Sequence, residues 1–239
     1  MDRKITDRVA YTIRNWRYKQ LFDMLQRYCG GKVLDVGGWD FFLTAKQKGI
    51  KFTRWVNIEP NPDNLPDIHD KAYTSVVGNG SDTDFSNAEF DTVINLHVLE
   101  HVMDPEKMVK EIARVLKPGG HAVFLIPQTS LLHHLPGHYY NFTRYWIESV
   151  MPKAGMTIVE HKALGGFWTT TASHMVYFYF KAVRAEGYSS SFYKRKLLFY
   201  PLLPLMFVFA LMVLIFSLIF SLADLTEDPN NHLVVVRKN

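Results

Sequence analysis

Residues 90–127 read FDTVINLHVLEHVMDPEKMVKEIARVLKPGGHAVFLIP, and the fold can be predicted from the pattern of this stretch. It opens on the apolar run FDTVINL and closes on HAVFLIP, a short apolar run typical of a strand buried on both faces. Between them Met108, Ile112 and Leu116 recur at helical spacing, and Pro118-Gly119-Gly120 predicts the end of that helix. A strand, a helix and a second strand in this order favour parallel strands covered by a helix.

The same alternation extends towards the N-terminus. KVLDVGG at residues 32–38 and FTRWVNIEP at residues 52–60 both read as strands, with a polar helix-like stretch between them. Together these segments predict an α/β fold with a doubly wound parallel sheet.

Acidic residues stand at the carboxyl ends of the two N-terminal strands. Asp35 is followed by Gly37 and Gly38, and glycine permits a ligand to approach the backbone closely. Glu59 ends the next strand, where a carboxylate can accept hydrogen bonds from both hydroxyls of a ribose. The arrangement predicts a nucleoside-type ligand, while helix capping or a surface charge is the alternative role of either acid.

Residues 78–127 resemble the core of the class I S-adenosylmethionine-dependent methyltransferases of the UbiE-like group. The matching motifs are Phe90-Asp91, Leu99-Glu100-His101 and Leu116-Lys117-Pro118-Gly119-Gly120. The resemblance covers about residues 30–165. It implies a Rossmann-like, doubly wound, mostly parallel seven-stranded sheet, with S-adenosylmethionine as the cofactor.

The resemblance also implies which residues bind the cofactor. Glu59 would hold the ribose, and Leu96 and His97 would line the methionine part. Asn79 would face the adenine edge, where the family usually has aspartate, and its amide oxygen can accept a hydrogen bond from the adenine amino group. The loop after the first strand would contribute Asp35, Gly37 and Gly38.

This first loop departs from the family's pattern of acid-x-Gly-x-Gly-x-Gly. Trp39 and Phe41 occupy the second and third glycine positions. Either Gly38 provides the close approach in a shifted loop, which we favour, or the domain has lost catalysis and serves as a membrane-anchored scaffold. A nicotinamide-dependent enzyme is a further alternative, although its G-x-G-x-x-G fingerprint is missing.

Transfer to a hydroxyl needs a group that takes up the proton, and histidine is the commonest such group. His138 and Tyr139 follow the fifth strand and are the first candidates for contact with the acceptor. His101 is a further candidate, with capping or packing as its alternative role. His133 and His134 are adjacent, but no cysteine or nearby carboxylate completes a familiar ligand spacing, so no metal site is predicted.

The composition restricts partners and compartment. Because the formal net charge is only +4 and the basic residues are scattered, no nucleic-acid partner is predicted. Cys29 is the only cysteine, which excludes an internal disulfide and fits a reducing compartment. Val9, Ile13 and Trp16 predict an amphipathic helical region within residues 1–29 rather than a signal peptide, so we expect the globular part in the cytosol.

Residues 197–223 form an uncharged run of 27, enough to cross a bilayer core that needs about 20 apolar residues. The run predicts contact with a membrane surface, with a buried core or dimer helix as the alternative. Lys194, Arg195 and Lys196 before the run and acids after it favour a single crossing. Residues 232–238 resemble the antiparallel last strand of the methyltransferase family, which returns to the cytosolic sheet, and this resemblance favours a monotopic or re-entrant segment on the cytoplasmic side.

The chain therefore divides into the N-terminal region, a methyltransferase core at 30–166, an aromatic and apolar membrane-associating region at 167–224, and a returning strand at 225–239. We expect methyl transfer from S-adenosylmethionine to a small or lipid-linked, amphiphilic acceptor. A saccharide hydroxyl is favoured because methyltransferases of the resembled group often accompany polysaccharide assembly. The sequence leaves the oligomeric state open.

Overall fold

The fold is a seven-stranded mixed sheet with helices, seen in a computed structural model that describes residues 18–182 and 196–239. The strands are β1 (Lys32–Val36), β2 (Arg54–Glu59), β3 (Tyr73–Val77), β4 (Phe90–Leu96), β5 (Leu116–Pro127), β6 (Met156–Leu164) and β7 (Asn231–Lys238). The helices are α1 (Lys19–Tyr28), α2 (Phe41–Gln47), α3 (Pro105–Val115), α4 (Arg144–Lys153), α5 (Phe167–Ala182) and α6 (Phe199–Phe220). The residues predicted to form an N-terminal amphipathic helix, Val9, Ile13 and Trp16, lie outside the described residues, as do Lys194 and Arg195.

The strand order is β3-β2-β1-β4-β5-β7-β6. β1 pairs in parallel with both β2 and β4, so the order reverses direction between β1 and β4. In open α/β sheets, ligands bind outside the carboxyl ends of the strands at such a reversal. The predicted Rossmann-like sheet is confirmed, including the apolar helix that precedes the last strand.

Helix α3 covers the sheet as its apolar spacing predicts. Met108, Val109 and Ile112 are buried in the main core cluster, and the Asp104 side chain caps the helix by accepting from the Lys107 N–H at 2.9 Å. The helix ends at Val115, earlier than the predicted end at Pro118-Gly119-Gly120. The residue before a proline is disfavoured in helical conformation, and Leu116 already pairs with β4.

The described residues fall into two compact units. The first contains residues 18–127, 132–162 and 232–239, and the second contains 128–131, 163–182 and 196–231. Within the second unit α5 and α6 run antiparallel, because Trp168 lies 4.9 Å from Phe220 and Phe178 lies 5.7 Å from Phe207 between ring centroids. The buried residues of α6 are the small Ala210 and Ser217.

Candidate active site

A cavity of about 330 Å³ opens where the strand order reverses, at the carboxyl ends of β1 and β4. Small-molecule sites have volumes of about 300–1,000 Å³. Gly37 and Gly38 line it from the loop after β1, and Leu96 and His97 line it from the end of β4. Four residues of the predicted cofactor-binding set therefore share one cavity.

The loop after β1 accommodates the two large residues that replace family glycines. Trp39 adopts a left-handed φ of +47°, uncommon for a residue with a side chain, and leaves 62% of its surface exposed. Phe41 begins α2, and its ring lies 6.2 Å from that of Trp55 and 6.4 Å from that of Phe22. Neither side chain fills the cavity, although both contribute to its wall.

Gly38 lies directly over the buried carboxylate of Asp35. A Cβ atom at residue 38 would overlap both carboxylate oxygens, so no larger residue fits this backbone. The Asp35 Oδ2 accepts from the Trp55 indole N–H at 3.2 Å, and among the described residues the Oδ1 has no hydrogen-bond partner. Asp35 thus supports the loop from below and does not itself line the cavity.

Burial raises the pKa of Asp35 to about 8, and the Trp55 hydrogen bond only partly opposes this. In the unfolded chain the carboxyl ionises near its ordinary value of 3.8. Between these two values the folded protein binds the extra proton, so this group makes the free energy of unfolding fall as pH rises.

We expect Asp35→Asn to remove this pH dependence. Its slope is as much as about 1.4 kcal/mol of unfolding free energy per pH unit between roughly pH 4 and pH 8. Asparagine keeps the shape and an oxygen that can accept from Trp55. Urea unfolding of both proteins at pH 5 and pH 7.5 measures the difference, and identical pH slopes would contradict the assignment.

Glu59 fixes the same loop from β2. Its side chain is buried, and Oε1 accepts from the Trp39 backbone N–H at 2.7 Å. Burial raises the pKa of Glu59, and the hydrogen bond from Trp39 partly offsets that increase. The carboxylate therefore stands behind the loop that borders the cavity, and its contact with a ribose stays a prediction.

Glu59→Ala is expected to weaken S-adenosylmethionine binding by about 1–3 kcal/mol, through the loss of charge-assisted hydrogen bonds. Glu59→Gln, which keeps one acceptor oxygen, is the matched variant and should lose less. Calorimetric titration measures both. Unchanged affinity in the alanine variant would refute the ribose assignment.

Asn79 lies away from the cavity lining. It is exposed, and its Oδ1 accepts from the Ser81 N–H at 2.9 Å, which closes a short turn. A contact with adenine would require this side chain to exchange its turn hydrogen bond for one to the ligand. The adenine assignment stays a prediction.

The three predicted catalytic residues come together beside β4 and β5. The rings of His101 and His138 lie 5.6 Å apart, and the Tyr139 side chain is 45% exposed. His138 uses both ring nitrogens inside its loop, because Nδ1 accepts from the His133 N–H at 3.3 Å and Nε2 lies 3.2 Å from the Tyr140 carbonyl oxygen. These contacts fix the loop, and the catalytic role of each residue stays a prediction.

Helix α1 contributes residues to the cavity that sequence reasoning did not assign to the site. Leu21 and Phe22 line it together with Tyr18, which directly precedes the helix. The apolar periodicity of residues 19–28 was a signal that could have indicated a buried face here. That pattern predicts burial but does not say which element the face covers.

Comparison with known proteins shows that the chain is similar to methyltransferases. Residues 34–124 match the methyltransferase domain family. An uncharacterized methyltransferase of Mycobacterium sp. (strain KMS) is 32% identical over 123 residues, a match that covers 48% of this chain and 46% of that protein. The chain thus spans about half the length of the curated relatives it matches.

Solved structures share the fold at low sequence identity. A Haloferax volcanii putative methyltransferase, solved in complex with the Trm112 methyltransferase activator, gives a TM-score of 0.61 at 14% identity, covering 94% of this chain and 90% of that one. Phosphoethanolamine N-methyltransferase 2 of Haemonchus contortus, solved with S-adenosyl-L-methionine, gives a TM-score of 0.56 at 16% identity. This match covers 94% of this chain and 55% of that one.

Proposed function

We propose that the protein is a class I methyltransferase that uses S-adenosylmethionine to methylate a hydroxyl of a lipid-linked or amphiphilic acceptor, because residues 34–124 match a methyltransferase domain. A saccharide is the favoured acceptor, and the reaction takes place at the cytosolic face of a membrane. The observation that carries the chemistry is the cavity at the strand reversal, bordered by a glycine loop that packs over Asp35 and donates a hydrogen bond to Glu59.

The cavity fits a nucleoside-bearing cofactor. Gly37 and Gly38 line the cavity, and the Glu59 carboxylate lies behind this loop as a hydrogen-bond acceptor. When bound, S-adenosylmethionine supplies an activated methyl group. The chain's own task is to orient donor and acceptor in line, from which most of the acceleration in such a transfer can come. Leu96 and Leu125 in the cavity wall help to exclude water.

The length and the exposed apolar surface of helix α6 support the proposal that the acceptor resides in a membrane. One helix among the described residues, with its extension Phe199–Ala223, is long and apolar enough to cross a bilayer, with mean hydropathy 2.9. Its apolar side chains are exposed around the helix, for example Leu205 at 67%, Phe209 at 61% and Ile215 at 50%. A continuous exposed apolar surface of this kind is typical of contact with lipid or with another apolar surface.

The connections of the helix pair favour a monotopic or re-entrant arrangement over a single crossing. α5 follows β6 and α6 precedes β7, and both strands belong to one sheet. The chain therefore leaves the sheet after β6 and returns to it at β7 on one side of the membrane. In sequence, Lys194, Arg195 and Lys196 lie between the two helices. Carrying these charges through the bilayer core would be costly, whereas lipid headgroups attract them.

Mass spectrometry of lipid extracts tests the acceptor class. Cells with and without the gene are grown with methyl-deuterated methionine, and we expect a lipid that carries one labelled methyl group only when the gene is present. A labelled product confined to the water-soluble fraction would contradict the lipid-linked acceptor while leaving the transfer reaction intact.

A further inference from the structure

A buried carboxylate surrounded by histidines lies beside the cofactor cavity. We propose that Glu100, His101 and His133 bind a divalent transition-metal ion, which holds the acceptor hydroxyl. One ligand atom from each of the three lies within 4.8 Å of the others. Two ligands on one ion with bonds of about 2.1 Å stand roughly 3–4 Å apart, so small side-chain rotations complete the set.

The Glu100 carboxylate gives the first argument for a cation. Its side chain is fully buried, and neither of its oxygens makes a hydrogen bond among the described residues, where His97 Nδ1 lies 3.3 Å from Oε1. An ionised carboxylate without partners in a protein interior costs several kcal/mol, so buried carboxylates are paired or coordinate metals. An ion at this position would bind one carboxylate oxygen and balance the charge of the group.

The tautomer of His101 gives the second argument. Its Nδ1 lies at hydrogen-bonding distance from the Gly137 carbonyl oxygen, which can only accept, so Nδ1 carries the hydrogen. In neutral His101 the Nε2 therefore presents a lone pair, and this atom lies 3.9 Å from Glu100 Oε1. Two acceptors that face each other favour a cation between them. A backbone carbonyl on the other ring nitrogen is also the usual outer partner of a metal-bound histidine.

His133 supplies the third ligand from a different loop. Its ring centroid lies 4.8 Å from that of His101. Two imidazoles and one carboxylate are the ligands of zinc sites and of non-haem iron sites, which keep coordination positions open. Sequence spacing could not indicate this set, because the carboxylate precedes His133 by 33 residues.

The proposed ion would adjoin the cofactor through His97. This residue lines the cavity, adopts a left-handed φ of +57°, and its Nδ1 lies 3.3 Å from Glu100 Oε1. Left-handed backbone at a residue with a side chain is strained and is concentrated at functional sites. The short path from cavity to carboxylate would bring a metal-bound acceptor next to the methyl donor.

The role of the ion rests on the proposed methyl transfer. A hydroxyl bound to the ion would release its proton to solvent water more readily, because a cation lowers the pKa of a bound oxygen. The oxygen would then attack the methyl carbon, and the carbon–sulfur bond would break with its electron pair left on sulfur.

Titration of the full chain with Co²⁺ and Zn²⁺, after removal of any affinity tag, tests the site. We expect one equivalent of Co²⁺ to bind with visible absorption bands of low-coordinate geometry, and Zn²⁺ to displace it. Glu100→Gln and His133→Gln should each weaken binding at least about 10-fold. His69→Gln is the control, because His69 is 91% exposed and lies outside the cluster, and it should bind as the wild type does.

Thermal unfolding gives a second measurement that does not depend on activity. Zn²⁺ should raise the melting temperature of the wild type and of His69→Gln, but not that of Glu100→Gln. Wild type that binds S-adenosylmethionine without binding Co²⁺ or Zn²⁺ would overturn the metal site alone. Wild-type affinity of Glu100→Gln for both ions would also overturn it. Metal binding without cofactor binding would instead overturn the methyltransferase function.

Discussion

Gly38→Ala is expected to weaken S-adenosylmethionine binding by about 100-fold. The added Cβ would overlap the Asp35 carboxylate, which is buried and cannot move into solvent. Overpacking of this kind costs typically 1–3 kcal/mol, and about 2.7 kcal/mol corresponds to 100-fold in affinity. The loop would shift and pull the Trp39 N–H away from Glu59, with which it forms a 2.7 Å hydrogen bond.

Gly30→Ala is the matched control. No heavy atom lies within 4 Å of the Cβ position at residue 30, which precedes β1. Calorimetric titration with S-adenosylmethionine should give wild-type affinity for Gly30→Ala and a strong loss for Gly38→Ala. Equal affinities for the two variants would mean that the loop over Asp35 does not shape the cofactor site.

Phe209→Arg together with Phe216→Arg is expected to release the protein from membranes. The two rings are 61% and 54% exposed, and they are seven residues apart on one face of α6. Arginine in an apolar membrane segment costs about 2.5–3.5 kcal/mol, so the pair should lose on the order of 5 kcal/mol of membrane binding. Flotation with liposomes and fractionation of cell membranes measure the change.

The control variant adds the same two positive charges to the first unit instead of to α6. Met103 and Tyr145 are 69% and 79% exposed in the first unit, and Met103→Arg with Tyr145→Arg should leave membrane binding intact. Deletion of residues 197–223 should release the protein as the α6 variant does. Continued sedimentation of either α6 change with membranes would count against the membrane anchor.

Local sequence patterns predicted the parallel strands of the sheet, whereas the seven-stranded arrangement was implied by the family resemblance. KVLDVGG and the run that ends at Glu59 each predicted a strand with an acidic residue near its carboxyl end, and the two strands are paired in the structure. Such a prediction is possible because the strand and its acid belong to one continuous stretch of sequence. α3 ends at Val115, one residue before Leu116, the last residue of its predicted apolar face, because Leu116 already pairs with β4.

The rest of the site depends on contacts between distant segments. Phe22 reaches the cavity from α1 and Tyr18 from the residue before it, and Glu100 lies near His133 although the two residues belong to different loops. The periodicity of apolar residues is a local pattern and does not predict contacts between segments that are distant in sequence. The exchange of two loop glycines for Trp39 and Phe41 was visible in the sequence, but only the left-handed backbone at Trp39 and the placement of Phe41 in α2 explain how the loop accepts them.

Calorimetric titration of the wild type with S-adenosylmethionine and with its demethylated product is the most direct test of a working cofactor site. Saturable binding of both ligands at one site per chain, lost in Gly38→Ala and kept in Gly30→Ala, is the result we predict. Failure to bind either ligand would mean that Trp39 and Phe41 mark a domain that keeps the fold without the chemistry.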